Sequence, residues 1–216
     1  RYREKTHMSI WPWSDIVSLV HRHCKHVLAA GDGQVYELGC GAGANVPFFR
    51  SLGLKYCATD GSPTMVEELR RRFPEFSATI RVADFTREQP FQHAFDIAID
   101  RASLTHNDTA SIRTALRLVF EALKPGGVFI AADWFSTKHS EFNRGMPSDD
   151  VFTRTGYRSG QFAGLGRVHF SDESHLRDLF SSFEILSLTE KFVCNREPAD
   201  GAVFAAWNIV ARKPST

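Results

Sequence analysis

Val35-Tyr36-Glu37-Leu38-Gly39-Cys40-Gly41-Ala42-Gly43-Ala44-Asn45 begins as an apolar strand-like run, closes on glycines and leads into a helix-like pattern. Glycines at this point allow a tight strand-to-helix turn and let a ligand approach the main chain closely. The exposed N–H groups and the helix N-terminus favour an anionic group. Gly-x-Gly-x-x-Ala by itself also fits a nicotinamide enzyme, so its neighbours carry the discrimination. Asp60 lies 21 residues after Gly39, at the end of the next strand-like run. A carboxylate there accepts hydrogen bonds from both hydroxyls of a ribose. Asp84-Phe85 ends the third run, where a carboxylate and a ring suit an adenine. Glu37 puts an acidic group beside the turn, unfavourable to a pyrophosphate and favourable to a cationic amino group or sulfonium. Together, Glu37, Asp60 and Asp84 suit a nucleoside with a positively charged amino-acid tail.

Outward from the turn, apolar strand-like runs alternate with helical patterns, as in a parallel sheet covered by helices. Strands are expected at Gln34 to Leu38, Lys55 to Thr59, Ala78 to Ala83, Phe95 to Ile99 and Gly127 to Ala132. The last is apolar enough to be central and buried on both faces. Ser62-Pro63 caps a helix running to Phe73. Thr109 to Lys124 places Ile112, Ala115, Leu116, Val119, Phe120 and Leu123 on one helical face and stops at Pro125-Gly126-Gly127. Ser171 to Ser182 reads as a further helix. Phe183 to Val193 and Ala202 to Lys213 read as an antiparallel hairpin turning at Pro198 and Gly201. Trp11 to Ala30 reads as one amphipathic helix, so residues 1–30 form an N-terminal helical cap. Residues 135–170 lack clear periodicity and are too long for an idle connection. They are expected to be an insertion forming part of a substrate pocket, the whole of 1–216 being one domain.

Composition narrows the class. At 216 residues, 43% hydrophobic and 24% charged, the chain is an ordinary globular protein. Lys plus Arg number 26 and Asp plus Glu 25, a balance that argues against a polyanionic partner, so no nucleic acid is expected. No apolar run approaches a membrane span and the start shows no signal-peptide pattern, so the expectation is a cytoplasmic protein without a membrane partner. Cys24, Cys40, Cys57 and Cys194 are scattered and form no CxxC pair, which reads as reduced thiols.

Glu37-Leu-Gly-Cys-Gly-Ala-Gly43 resembles motif I of class I S-adenosylmethionine-dependent methyltransferases. The resemblance continues, in the family's order, through Ala58-Thr-Asp60-Gly-Ser62-Pro-Thr-Met65, Ala83-Asp84-Phe85, Phe95-Asp-Ile-Ala-Ile-Asp100-Arg101 and Leu123-Lys-Pro-Gly-Gly-Val-Phe129. It implies an α/β, Rossmann-like, doubly wound seven-stranded sheet of order 3-2-1-4-5-7-6 with strand 7 antiparallel. It implies S-adenosyl-L-methionine as cofactor and methyl transfer as activity. By the same resemblance Gly39, Cys40, Gly41 and Gly43 would line the methionine moiety near Glu37, and Asp60 would hold the ribose. Gly61 and Met65 would pack near the adenine, and Asp84 and Phe85 would contact the base. Asp100 and Arg101 would sit beside the sulfonium and the methyl acceptor. Trp11 and Trp13 are candidates for covering the cofactor, against simple packing of the first helix. The closing helix and hairpin look most like small-molecule methyltransferases, the tellurite-resistance type among them.

The expected acceptor is a small molecule with an oxygen, nitrogen or sulfur nucleophile. His106, after the fourth strand, and His169, at the end of the insertion, are candidate bases, with Asp100 a lesser one. Asp133-Trp134 would face the same pocket. Arg144, Arg154, Arg158 and Arg167 make the insertion basic, either as solvated surface or as a clamp for an anionic acceptor. His21, His23, Cys24 and His26 invite a metal reading, but a helix puts only His23 and His26 on one face and no second ligand cluster follows, so no metal is expected. His93 and His175 read as surface residues. Two other readings stand beside the enzyme: a non-catalytic S-adenosylmethionine-binding module or partner subunit, and a nicotinamide-dependent oxidoreductase. For the latter no catalytic Tyr-x-x-x-Lys set is visible.

Overall fold

Alternation of apolar residues along β1 (Gln34–Leu38) divides the molecule into two cores. Val35 faces one side of the sheet with Tyr56, Ala58, Ile97 and Ile99, while Tyr36 and Leu38 face the other with Ala98, Phe129 and Ile209. A strand buried on both faces belongs at the centre of a helix-covered parallel sheet, and β1 pairs in parallel with both β2 (Lys55–Asp60) and β4 (Phe95–Arg101). The computed structural model describes residues 9–92 and 94–215. His93 lies outside them. The main sheet has seven strands in the order β3-β2-β1-β4-β5-β10-β9, with β3 at Ile80–Val82, β5 at Leu123–Phe135, β9 at Glu184–Cys194 and β10 at Val203–Arg212. Strand β10 runs antiparallel to both neighbours. This is the sheet that the sequence resemblance implies.

Several boundaries move, each for a local reason. The first helix is two, α1 (Ser14–His23) and α2 (Lys25–Ala30). Cys24 between them leaves helical geometry at φ −114°, ψ 27°, and the bend keeps Cys24 and Val27 on the core that also buries Ile16 and Val20. Helix α3 (Val46–Ser51) follows the glycine turn, and α4 (Pro63–Arg72) is capped by Ser62. Helix α5 (Thr109–Ala122) ends before Lys124 because Leu123 already pairs with Phe95 in the sheet. Lys124 meanwhile reaches Asp96 at 2.8 Å. The Pro125-Gly126-Gly127 stop therefore sits inside β5. Helix α6 is only Glu173–Leu179, capped by Asp172, which accepts from the His175 N–H.

Residues 135–170 are not structureless. Strands β6 (Met146–Pro147), β7 (Thr153–Thr155) and β8 (Val168–His169) form a small antiparallel sheet. Beneath it Phe135, Tyr157, Phe162, Val168 and Phe170 make a satellite core against which Ala102 packs. The insertion is thus fixed to the end of β4, beside the glycine turn. No helix among the described residues is long and apolar enough to cross a membrane.

The turn itself depends on glycine at Gly43. Its φ is +74°, and a Cβ there would stand 2.5 Å from Leu69 Cδ2 of α4. Gly43→Ala combines a left-handed backbone with an overpacked helix contact and is expected to cost about 2–4 kcal/mol. Urea unfolding measures it, and an unchanged midpoint would contradict this account of the turn.

Candidate functional site

The C-terminal ends of the parallel strands, where open α/β sheets bind ligands, carry a crevice of about 340 Å³ lined by Glu37, Gly39, Cys40, Gly41, Asn45 and, across from them, Trp13, Arg101, Ala102 and His106. Its size is that of a small-molecule site. Glu37 continues the face of Val35 and is 4% exposed. Its carboxylate accepts from Asn45 Nδ2 at 2.9 Å and from the Tyr56 hydroxyl at 2.5 Å. Both donors are neutral. Burial, with Asp100 and Asp60 nearby, pushes the Glu37 pKa up to about 7 against those two hydrogen bonds. Asn45 Oδ1, also buried, has no partner. Glu37 and Asn45 thus bring two acceptors to the crevice, a set suited to the N–H donors of an ammonium group.

Asp60 lies at the end of β2 and accepts from the Gly41 N–H and the Ser62 N–H, each at 2.8 Å. It ties the glycine turn to the start of α4. Each of its oxygens keeps further accepting capacity. Gly61 is exposed with open space around it, and Met65 is buried on α4. Phe85 lies against Gly39: a Cβ on that glycine would be 3.3 Å from the ring, and 2.4 Å from Ser103 Cβ.

Asp100 is held differently from the expectation. It is 1% exposed and lines no part of the crevice. Its Oδ1 accepts from the Ser103 and Leu104 N–H groups at 3.1 Å and from the Ser103 hydroxyl, so it shapes the turn after β4. Oδ2 is buried without a partner, and burial raises the pKa to about 6. Ser103 Oγ also lies 2.9 Å from the Leu38 carbonyl, which shares the one Ser103 hydroxyl proton with Asp100, and so the turns after β1 and β4 are joined.

At the opposite wall Arg101 stacks on Trp13, 3.8 Å from guanidinium to ring centre, and binds Asp133 through Nε at 2.9 Å and Nη2 at 2.8 Å. Asp133 also pairs with Lys191, which pairs in turn with Asp15 of α1. This chain of charges docks the N-terminal helix onto the sheet. Trp13 therefore lines the crevice, while Trp11, 67% exposed, does not. Asp133 faces this side, but Trp134 is turned into the core, where its indole N–H reaches Ser171.

His106 stands at the crevice rim. Its Nδ1 lies 3.4 Å from the Arg167 carbonyl, and its ring meets Phe135 edge-on at 6.4 Å. A carbonyl only accepts, so Nδ1 carries the proton and Nε2 keeps its lone pair. Desolvation lowers its pKa from the usual histidine value.

His169, the other candidate base, is elsewhere. It is fully buried among Thr153, Ser171 and His175, with His175 Nε2 at 3.2 Å from its Nε2, and burial takes its pKa down to about 3. Its neighbours exclude it from contact with a substrate. His175, expected at the surface, is buried and stacks on Phe152 at 3.7 Å. Asp84 is half exposed, paired with Arg87 at 3.2 Å, and borders a separate polar hollow of about 400 Å³ with Thr86 and Arg167. Gly43 faces Leu69 and does not line the crevice. The insertion arginines form no clamp. Arg144 pairs with Glu141, Arg154 stacks on Phe142, Arg167 pairs with Asp149, and Arg158 is exposed. Among the described residues no cluster of three His, Cys, Asp or Glu could hold a metal ion. Asn45, Tyr56, Ser103 and Lys191 are site residues that sequence reasoning passed over. Only Asn45 carried a signal, as the polar residue closing the glycine stretch.

Residues 35–127 match the methyltransferase domain family. Carboxy-S-adenosyl-L-methionine synthase of Yersinia pestis is 29% identical over 139 residues, covering 59% of this chain and 50% of that enzyme. The chain spans about half the length of the curated relatives it matches. A SAM-dependent methyltransferase from Methanosarcina mazei shares the fold with a TM-score of 0.72 at 19% identity, covering 97% of this chain and 100% of that one. TehB from Haemophilus influenzae does so with a TM-score of 0.64 at 16% identity, covering 98% and 65%.

Asp60→Ala removes the acceptor that ties the Gly41 and Ser62 N–H groups together and that the sequence resemblance gives to a ribose. Calorimetry should show binding of S-adenosylhomocysteine weakened more than about tenfold. Unchanged affinity would contradict a ribose role.

Proposed function

We propose that this chain, a class I S-adenosylmethionine-dependent methyltransferase, methylates a small molecule through an ionisable nucleophile whose proton His106 accepts. S-adenosylmethionine is the cofactor of this fold, and when bound it supplies a methyl group on a positively charged sulfur. The residues present fit it. Glu37 and the unpaired Asn45 Oδ1 offer acceptors for its ammonium. Gly39, Cys40 and Gly41 give the main chain close access to its amino-acid tail. Asp60 keeps accepting capacity for ribose hydroxyls, and Phe85 offers a ring beside Gly39. Gly61, Met65 and Asp84 lie around the start of α4 and the end of β3, on the side where the base would extend.

The observation that carries the reading is that Glu37 and His106 line one and the same crevice. It holds buried acceptors for a cation. It also presents a histidine whose Nε2 is left free by the Arg167 carbonyl. A neutral imidazole at the rim takes a proton from a hydroxyl or amine as the nucleophile is aligned. The insertion takes part, because it supplies both that carbonyl and the Phe135 flank. Arg101, held by Asp133 and stacked on Trp13, shapes the wall that an acceptor would lie against.

Two measurements test this. Transfer of labelled methyl to fractionated metabolites, with mass spectrometry of both products, should yield S-adenosylhomocysteine and an acceptor heavier by one methyl. A carboxylated nucleoside would instead place the chain with the synthase it resembles. With the acceptor in hand, His106→Ala is expected to lower kcat about 100-fold while the S-adenosylhomocysteine Kd stays within about twofold. Because desolvation lowers the His106 pKa, the base is neutral at pH 7, and activity should fall only below the usual histidine range. Full activity of the variant would remove His106 from the mechanism.

A further inference from the structure

We infer that the cofactor is taken up with release of a proton from Glu37, which exchanges between neutral and charged forms in the free protein and becomes wholly a carboxylate once an ammonium faces it. The inference rests on the crevice being the cofactor site. Its basis is the surroundings of Glu37. The side chain is 4% exposed, and both of its partners, the Asn45 amide and the Tyr56 hydroxyl, are neutral. The charged groups that act on it, Asp100 and Asp60, are both acidic. Asp60 stands on β2, and Asp100 stands on β4 beside Leu38. Cys40 in the turn and Tyr56 on β2 would add negative charge if ionised. The nearby cations are committed elsewhere. Arg72 donates to the Ala42 carbonyl at 2.9 Å, and Arg101 is bound by Asp133. His106 at the rim is directed to the Arg167 carbonyl.

A carboxylate buried without a counter-ion gains by holding a proton. The pKa near 7 that burial gives Glu37 agrees with this. The same geometry shows what reverses it. Asn45 Oδ1, buried and unpartnered, borders the crevice with Glu37, so two acceptors await one multiple donor. A ligand ammonium supplies three N–H donors and a positive charge. It stays protonated throughout. The Glu37 proton passes to solvent, and no covalent bond changes. The sign follows from linkage. Below pH 7 binding must first expel the proton, so affinity falls with acidity, by about tenfold between pH 8 and pH 6.

Calorimetry with S-adenosylhomocysteine, in buffers of contrasting ionisation enthalpy at pH 6, 7 and 8, counts the protons directly. This ligand lacks the sulfonium, so the ammonium alone is tested. The expected release approaches one proton at pH 6 and nears zero at pH 8. Glu37→Gln should abolish it, which separates Glu37 from Asp100. Tyr56→Phe removes a donor that favours the carboxylate and should carry the release to higher pH. Binding without proton exchange in the native protein, or equal release in Glu37→Gln, would overturn the inference. Failure of the ligand to bind at any pH would overturn the cofactor reading and the inference with it.

Discussion

Two carboxylic acids, Glu37 and Asp100, lie near the ends of adjacent central strands with almost no access to water, and neither forms an ion pair with a described residue. Charge without a counter-ion in such a place is costly, and much of the local structure is the means of bearing it. Main-chain N–H groups and the Ser103 hydroxyl gather on Asp100 Oδ1. An amide and a phenol do the same for Glu37. Ser103 then reaches the Leu38 carbonyl, and its bulk leaves no room for a side chain at Gly39. The glycine turn is narrow there because the neighbouring turn is pressed against it. A ligand that brings positive charge therefore meets a site already organised around its absence.

The far wall is built on the opposite principle. Asp15, Lys191, Asp133 and Arg101 alternate in sign from α1 to the crevice, with Arg101 at the inner end and Trp13 over its face. Ala102 and Asp133, neighbours across β4 and β5, both have φ of 57°, a left-handed conformation that side-chain-bearing residues rarely adopt. Strain of that kind collects at functional sites and is held in place by the contacts around it. Here the contacts are the Arg101 and Lys191 pairs with Asp133. The N-terminal helix, the end of the sheet and the hairpin are joined through these four side chains, so the crevice is a property of the whole chain and not of the glycine turn alone.

The sheet was legible because its signals are local. Apolar runs ending in glycine or acid, and helices capped by Ser62 and Asp108, are written in consecutive residues. The acidic residues beside the glycine turn, Glu37 and Asp60, were legible for the same reason, since strand ends fall where runs end. What escaped depends on distance in the chain. Nothing near His169 announces that Thr153 and His175 will enclose it, and nothing near Trp11 says that Trp13 faces inward instead. Whether the arginines of the insertion were solvated surface or a clamp was open only while their partners, Glu141, Asp149 and Phe142, were unpaired letters. Helix α5 ended early because Phe95, 28 residues before Leu123, had already claimed it as a sheet partner.

The account stands on a buried acid that receives a cation. A crystal structure of the chain with S-adenosylhomocysteine tests this most directly. The ligand ammonium should lie within hydrogen-bonding distance of the Glu37 carboxylate and Asn45 Oδ1, with the ribose on Asp60 and the sulfur turned toward His106. A ligand bound with its ammonium in solvent and Glu37 still holding only Asn45 and Tyr56 would contradict it.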